Sequence, residues 1–233
     1  MQAPTRRVPL HSTCNTRDLG GYPTRDGRVT RFGRLYRSDL PHGMDAHDRA
    51  LAGRLGLVCV IDLRTAEQAA RQKSEFAGLP GVDYLCCPFA AGNRDPSGPG
   101  QAADITMEML SDKQNIARVL RAILAAKGPV LFHCAAGKDR TGILAALLLG
   151  AAGVEQGDIL ADYALSYAYV LPVVRWLREQ IPGDADWYGR ADPEAMEEVL
   201  SRLGGIDGYL CACGLSEAER FGLRERLCGE TPF

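Results

Sequence analysis

Cys134 and Arg140 enclose the run Ala135-Ala136-Gly137-Lys138-Asp139, with His133 just before it and Thr141-Gly142 just after. The apolar stretch Pro129-Val130-Leu131-Phe132 leads in and Ile143 to Leu149 leads out, which reads as buried strand, loop and buried helix. A loop entering a helix N-terminus aims several N–H groups that lack intrahelical partners into one small space, and the helix dipole adds partial positive charge. Such a place binds phosphate. The same field favours thiolate over thiol, so Cys134 is expected to ionise below the ordinary ~8.5 of a free cysteine and to act as a nucleophile.

The neighbouring residue types extend that chemistry. Arg140 offers a planar fork that can grip two phosphate oxygens in ground and transition states. Gly137 permits a tight turn, so that the backbone of Ala135, Ala136 and Gly137 can curl round an anion. Lys138 adds a point charge beside the pocket. The Thr141 hydroxyl can donate to the Cys134 sulfur, and His133 is expected to hydrogen-bond backbone and hold the loop. A nucleotide-binding P-loop also contains Gly-Lys, but it needs Ser or Thr next and a glycine five residues before that Gly; Asp139 and Phe132 stand in those places and exclude it.

These residues must be positioned by alternating strands and helices. Strands are expected at Leu57 to Leu63, Val82 to Phe89 and Pro129 to Phe132, and two short ones between Arg28 and Arg37 round a turn at Phe32-Gly33. Helical spacing covers Asp45 to Leu55 with Asp45 as N-cap, Thr65 to Phe76, and Asp104 to Lys127 with a break near Ser111-Asp112. The alternation argues for an α/β fold, a central parallel-rich sheet flanked by helices, with ligand at the strand C-termini. From Val154 onward the chain reads as helices: one through Tyr169, one from Pro172 to Gln180, one opened by Asp192-Pro193, and one opened by the capping box Ser216-x-x-Glu219.

The chain has 233 residues, 46% of them apolar, and a net charge of −2. One domain over 1–233 is expected, and no general attraction to nucleic acid or to a membrane surface. Anion binding must then come from local cations, for which Arg17, Arg31, Arg34, Arg37 and Arg64 are candidates. Residues 1 to 17 lack an apolar secretory core, and the longest apolar run is too short to span a bilayer. A cytoplasmic location follows as an expectation, with leaderless export left open. The eight cysteines show no zinc-site spacing and are expected to be reduced.

The run His-Cys-x-x-Gly-Lys-Asp-Arg-Thr-Gly resembles the phosphate loop of the protein tyrosine phosphatase superfamily, in the bacterial branch, with a Lys-Asp pair before the arginine, typified by a mycobacterial member. Asn15-Thr16-Arg17-Asp18-Leu19-Gly20-Gly21, Gly33-Arg34-Leu35-Tyr36-Arg37-Ser38, Val60 to Arg64, Ala161-Asp162-Tyr163 and Gly208-Tyr209-Leu210 resemble further signatures of that branch, so the likeness spans nearly the whole chain. It implies a phosphoric monoester hydrolase that forms a cysteinyl phosphate on Cys134 and needs no metal or other cofactor. The implied partners are phosphotyrosine proteins, other phosphoproteins, phosphoinositides or small phosphomonoesters. The site implied comprises Cys134, Arg140, Asp139 and Thr141 for catalysis and His133, Ala135, Ala136, Gly137, Lys138, Arg17 and Arg64 for substrate.

The superfamily's usual acid loop, Trp-Pro-Asp, is missing from the chain. Asp139 is the preferred proton donor; Asp95, in the Gly/Pro-rich run after the Val82 to Phe89 strand, is the alternative. Residues 154–205 are read either as bundle core or as a helical lid. A small-molecule phosphatase and a non-enzymatic phosphate-binding protein are the competing readings; retention of Cys134, Arg140 and Thr141 together speaks against the second.

Overall fold

The computed structural model describes residues 5–89, 98–180 and 190–229. Five strands form one sheet in the order β1-β2-β5-β3-β4: β1 (Arg17–Asp18), β2 (Leu35–Ser38), β3 (Cys59–Asp62), β4 (Asp83–Cys86) and β5 (Val130–His133). β1 runs antiparallel to β2, and every other pair is parallel. Val130, Leu131 and Phe132 are fully buried at the middle of the sheet, as a continuous apolar strand between covered faces should be. The C-terminal ends of β2, β3 and β5 share one edge, where Ser38 and Asp62 flank His133.

Nine helices surround the sheet among the described residues: α1 (Ala46–Arg54), α2 (Ala66–Arg71), α3 (Pro99–Ser111), α4 (Lys113–Ala125), α5 (Asp139–Ala151), α6 (Gln156–Gln180), α7 (Pro193–Leu203), α8 (Ile206–Ala212) and α9 (Glu217–Cys228). Their starts follow local chemistry. Asp45 caps α1 by accepting from Asp48 N at 2.8 Å, and Thr65 with Gln68 and Ser216 with Glu219 form complete capping boxes. Asp112 interrupts α3 and α4 at the expected break and caps the second through Asn115 N. Helix α5 is apolar nearly all round, and Thr141 through Leu149 are buried without interruption. It packs against β2, β5, α3, α6, α8 and α9, which makes it the central helix.

The α/β reading and the parallel-rich sheet hold. Four details differ. Val29 makes only an isolated bridge to Pro23, and the antiparallel neighbour of β2 is instead the two-residue β1, too short to carry a period. Helix α2 stops at Arg71 because Gln72 turns extended and its carbonyl accepts from Arg64 Nη1 at 2.9 Å; a short 3₁₀ helix (Glu75–Gly78) follows. Helix α6 continues through Pro172. A proline removes one intrahelical bond, and burial of Val170 and Val174 on either side holds the flanking turns. Helix α8 is a separate seven-residue element between α7 and α9 that the sequence pattern does not mark off. Its Tyr209 is buried and donates from Oη to the Leu110 carbonyl at 2.7 Å, in the last turn of α3 where carbonyls lack helical partners.

None of the described helices is long and apolar enough to cross a membrane. Tyr209→Phe leaves the Leu110 carbonyl buried and unpaired; the expected cost is about 1–3 kcal/mol, measured by urea unfolding, with the helix content of the folded protein unchanged.

Candidate active site

The loop between β5 and α5 has its carbonyls fixed one after another from outside. The Cys134 carbonyl accepts from His133 Nδ1 at 3.0 Å, and the Ala135 carbonyl from Leu40 N at 2.9 Å. Asn15 Nδ2 donates to the Ala136 and Gly137 carbonyls, both at 3.0 Å. Arg37 Nη2 also donates to the Gly137 carbonyl at 2.8 Å, and Gly142 N to the Lys138 carbonyl at 2.7 Å. In a trans peptide the carbonyl and the following N–H point in opposite directions. Five carbonyls held outward therefore aim the N–H groups of residues 135 to 139 the other way. None of these amides gives a hydrogen bond outside the helix among the described residues. This is the geometry of an anion cradle at a helix N-terminus.

Gly137 makes the turn possible. Its φ is +66°, and a Cβ there would lie 2.6 Å from the backbone of Ser38 and Asp39, so the position requires glycine. Asp39 in turn accepts from Cys14 N at 2.7 Å and Asn15 N at 2.9 Å, which fixes the segment that presents the Asn15 side chain. Burial pushes the Asp39 carboxyl up, against those same backbone donors.

Behind Asn15 and Arg37 lies one buried carboxylate. Asp162, on α6, accepts from Arg17 Nε at 2.8 Å, from Arg37 Nη1 and from Tyr22 Oη at 3.0 Å. Arg17 Nη1 donates to the Asn15 carbonyl and to Asn15 Oδ1, and Ser166 Oγ accepts from both arginines. Burial alone would raise the Asp162 pKa, but the charges of Arg37 and then Arg17 outweigh it and hold the carboxyl below the ordinary range. Arg37, fully buried, is pushed down to about 10 by burial first and by Arg17 second, and stays charged at neutral pH.

Several sequence-predicted residues converge on the loop. Cys134 is buried at the end of β5. Arg140 is tethered by one nitrogen only: Nη1 donates to Gln68 Oε1 at 2.9 Å and reaches the Leu63 carbonyl at 3.4 Å. Its Nε–Nη2 edge makes no bond to the described residues, and that edge can take two oxygens of one phosphate. Ala135 and Ala136 are exposed, whereas Gly137 is buried. Lys138 is buried and its Nζ lies 3.2 Å from Asp139 Oδ1, whose side chain is 48% exposed. His133 is fully buried beside Phe76 and Tyr84. Burial pushes its pKa down despite Asp62, so it is neutral and donates from Nδ1, the loop-holding part expected of it.

Other expectations need correction. The resemblance implies Arg17 as a substrate ligand. It is fully buried, and its donors go to Asp162, Asn15 and Ser166, so it steadies the loop at one remove. Arg64 is likewise committed: Nε and Nη2 pair with Asp62 and Nη1 with the Gln72 carbonyl. Arg31 and Arg34 line an open groove with Arg28 and Glu225, at the end of β2 opposite the loop. The Thr141 hydroxyl is buried and has no hydrogen-bond partner, so the bond expected from it to the Cys134 sulfur is not made here. Asp95 lies outside the described residues.

Four contributors escaped sequence reasoning. Asn15, Asp39 and Asp162 fall within or beside the recognised sequence blocks, yet only contact geometry gives them a part; Gln68 carries no signal beyond its capping box.

The cradle of amides between Cys134 and Arg140 is suited to holding a phosphate-sized anion at a helix N-terminus. Comparison with known proteins agrees: the model of the tyrosine phosphatase family matches residues 8–229, and the chain belongs to that family. The enzyme class read from the sequence, a phosphoric monoester hydrolase of protein-tyrosine-phosphatase type, stands with it. A relative from Cupriavidus necator is 36% identical over 163 residues, covering 64% of this chain and 59% of the relative. The tyrosine-protein phosphatase of Nostoc commune is 33% identical over 221 residues, 82% of this chain and 72% of that protein. The triple specificity protein phosphatase PtpB of Mycobacterium tuberculosis is 28% identical, with 94% of this chain and 98% of that protein covered. Among solved structures, TpbA of P. aeruginosa aligns with a TM-score of 0.46 at 25% identity, covering 81% of this chain and 91% of the other.

Asp162→Asn strips the charge partner from two buried arginines, and the expected loss is about 3–5 kcal/mol of stability. The native carboxyl ionises well below its unfolded counterpart, so its contribution is complete above the ordinary carboxylate pKa of ~4, begins to fall there, and is lost progressively as pH drops toward the lower native value. Urea titrations from pH 7 to pH 3 should show a steep acid limb in the parent and a flatter one in the variant.

Proposed function

We propose that the protein is a metal-independent phosphatase acting through a cysteinyl phosphate on Cys134, with phosphotyrosine in proteins as its first substrate class. The observation that carries this reading is the set of outward-held carbonyls from Cys134 to Lys138, which leaves the amides of residues 135 to 139 facing the place where a phosphoryl group would sit. The Nε–Nη2 edge of Arg140 binds two of its oxygens and follows them as the phosphoryl group flattens in the transition state. The Cys134 sulfur attacks phosphorus, the S–P bond forms and the ester P–O bond breaks. Asp139 gives its proton to the leaving oxygen. Water then attacks phosphorus, yields a proton to the Asp139 carboxylate, and the S–P bond breaks to free inorganic phosphate and the thiolate.

Asp139 is preferred as the acid because its half-exposed carboxyl stands in the first turn of α5, beside the loop and Lys138. The buried ammonium of Lys138 supports a wider substrate range, including phosphoinositides or small polyanionic phosphomonoesters, and one relative carries triple specificity in its name. A lid within residues 154–205 would have its moving part beyond Ser166, because Asp162 and Ser166 of α6 are buried in the network above. All eight cysteines are free, which suits a reducing compartment such as a bacterial cytoplasm.

Hydrolysis of p-nitrophenyl phosphate should survive EDTA, be blocked by vanadate, and fall at least about 10³-fold in Cys134→Ser. Asp139→Asn should cost about 10²-fold or more on an alkyl or phosphotyrosyl ester and far less on a good leaving group. Undiminished turnover by Cys134→Ser refutes the nucleophile; equal effects of Asp139→Asn on both esters refute the acid.

A further inference from the structure

Outside the phosphate loop, residues 11 and 12 meet the start of α1 and bring two imidazoles and two carboxylates together. His11 Nδ1 lies 2.9 Å from Asp45 Oδ2, and His47 Nδ1 lies 3.4 Å from Asp48 Oδ1. The two rings stack, with centroids 4.3 Å apart and planes 11° from parallel. One donor atom from each of the four residues falls within 4.8 Å of all the others. The phosphatase reading gives this cluster no part.

The carboxylates are held in place from behind. Asp48 is fully buried, and its two oxygens accept from His11 N at 2.7 Å and Ser12 N at 2.8 Å. Asp45 Oδ1 accepts from Asp48 N at 2.8 Å, leaving Oδ2 turned toward His11. The Asp48 backbone N–H, and after it the His11 side chain, hold Asp45 below the ordinary carboxylate range, and hydrogen bonds from Ser12, His11 and His47 hold Asp48 there against its burial, so both are ionised at neutral pH. The imidazoles are the exposed half: the His11 and His47 side chains are 63% and 46% exposed.

We propose that His11, Asp45, His47 and Asp48 form a site for a divalent transition-metal ion of the zinc kind. Two imidazole nitrogens and two carboxylate oxygens are a set that such borderline ions accept. Bonds of about 2.0–2.2 Å in a tetrahedron place donor atoms roughly 3.3–3.5 Å apart. Both His–Asp pairs already stand near that spacing, and small rotations of the exposed imidazoles close the rest. Each imidazole ligates through the ring nitrogen that now faces its carboxylate and keeps its one proton on the other ring nitrogen, so the ion takes the place of the two His–Asp hydrogen bonds.

The site is structural and takes no part in hydrolysis. It ties His11 to α1 only four residues before Asn15, whose side chain holds the loop carbonyls, so occupancy should stiffen that segment.

The chain has four histidines: His11, His42, His47 and His133. Zinc chloride is titrated into the Cys134→Ser protein, which lacks the loop thiolate as a competing ligand, and the imidazole Cε1–H signals are followed by NMR. The proposal expects the His11 and His47 signals to move together and saturate at one equivalent while His42 and His133 stay. It also expects a higher melting temperature with zinc, reversed by EDTA, and affinity at least tenfold weaker in His11→Ala/His47→Ala. Unmoved His11 and His47 signals at micromolar zinc overturn it, as does equal affinity in the double variant, which would place the ion on cysteines. Neither result bears on the phosphatase reading.

Discussion

One carboxylate, Asp162, lets two arginine side chains exist inside this protein. Arg17 and Arg37 are fully buried next to each other, and a buried cation without a partner costs several kcal/mol. With Asp162 between them the pair becomes usable. Arg37 spends one nitrogen on Asp162 and another on the Gly137 carbonyl. Arg17 orients Asn15, which spends its amide on the Ala136 and Gly137 carbonyls. A charge on α6 thus reaches the phosphate loop through two side chains that need never touch a phosphate.

The arrangement is costly for stability alone, since apolar packing of similar volume often does as well as a buried ion group. What it supplies is direction. Neutral hydrogen bonds from Leu40, Asn15 and His133 set the carbonyls one by one, and the anchored Arg37 sets the last of them before the helix takes over at Lys138. The amides opposite are then oriented before any anion arrives, which is the condition for electrostatic stabilisation without reorganisation at the moment of reaction. Gly137, with a positive φ and no room for a Cβ, is the one place where the chain itself must bend to allow this.

The loop and its strand and helix could be read from the sequence because their signals are local. An apolar run, a Cys-to-Arg spacing and a second apolar run lie within 21 residues of one another, from Pro129 to Leu149. The break at Asp112, the cap at Asp45 and the box at Ser216 are local in the same way. The part played by Arg17 was misread because its partner, Asp162, lies 145 positions away, and an arginine in a phosphate-binding protein looks like a ligand until its neighbours are known. Asn15 and Asp39 escaped for the same reason: a side chain holding a main-chain carbonyl leaves no pattern in sequence. Continuation of α6 through Pro172 was decided by packing, which outweighs the helix-breaking tendency of one proline.

The central claim is that residues out of reach of phosphate set the affinity of the loop for it. Asn15→Ala tests this directly, because it removes the donor to two loop carbonyls and leaves Cys134, Arg140 and the charges of the network in place. Phosphate or tungstate binding to the folded variant is measured by calorimetry beside the parent. At about 1 kcal/mol for each lost hydrogen bond, affinity should fall tenfold or more while the protein remains folded by circular dichroism. Unchanged affinity in a folded Asn15→Ala protein would contradict the account.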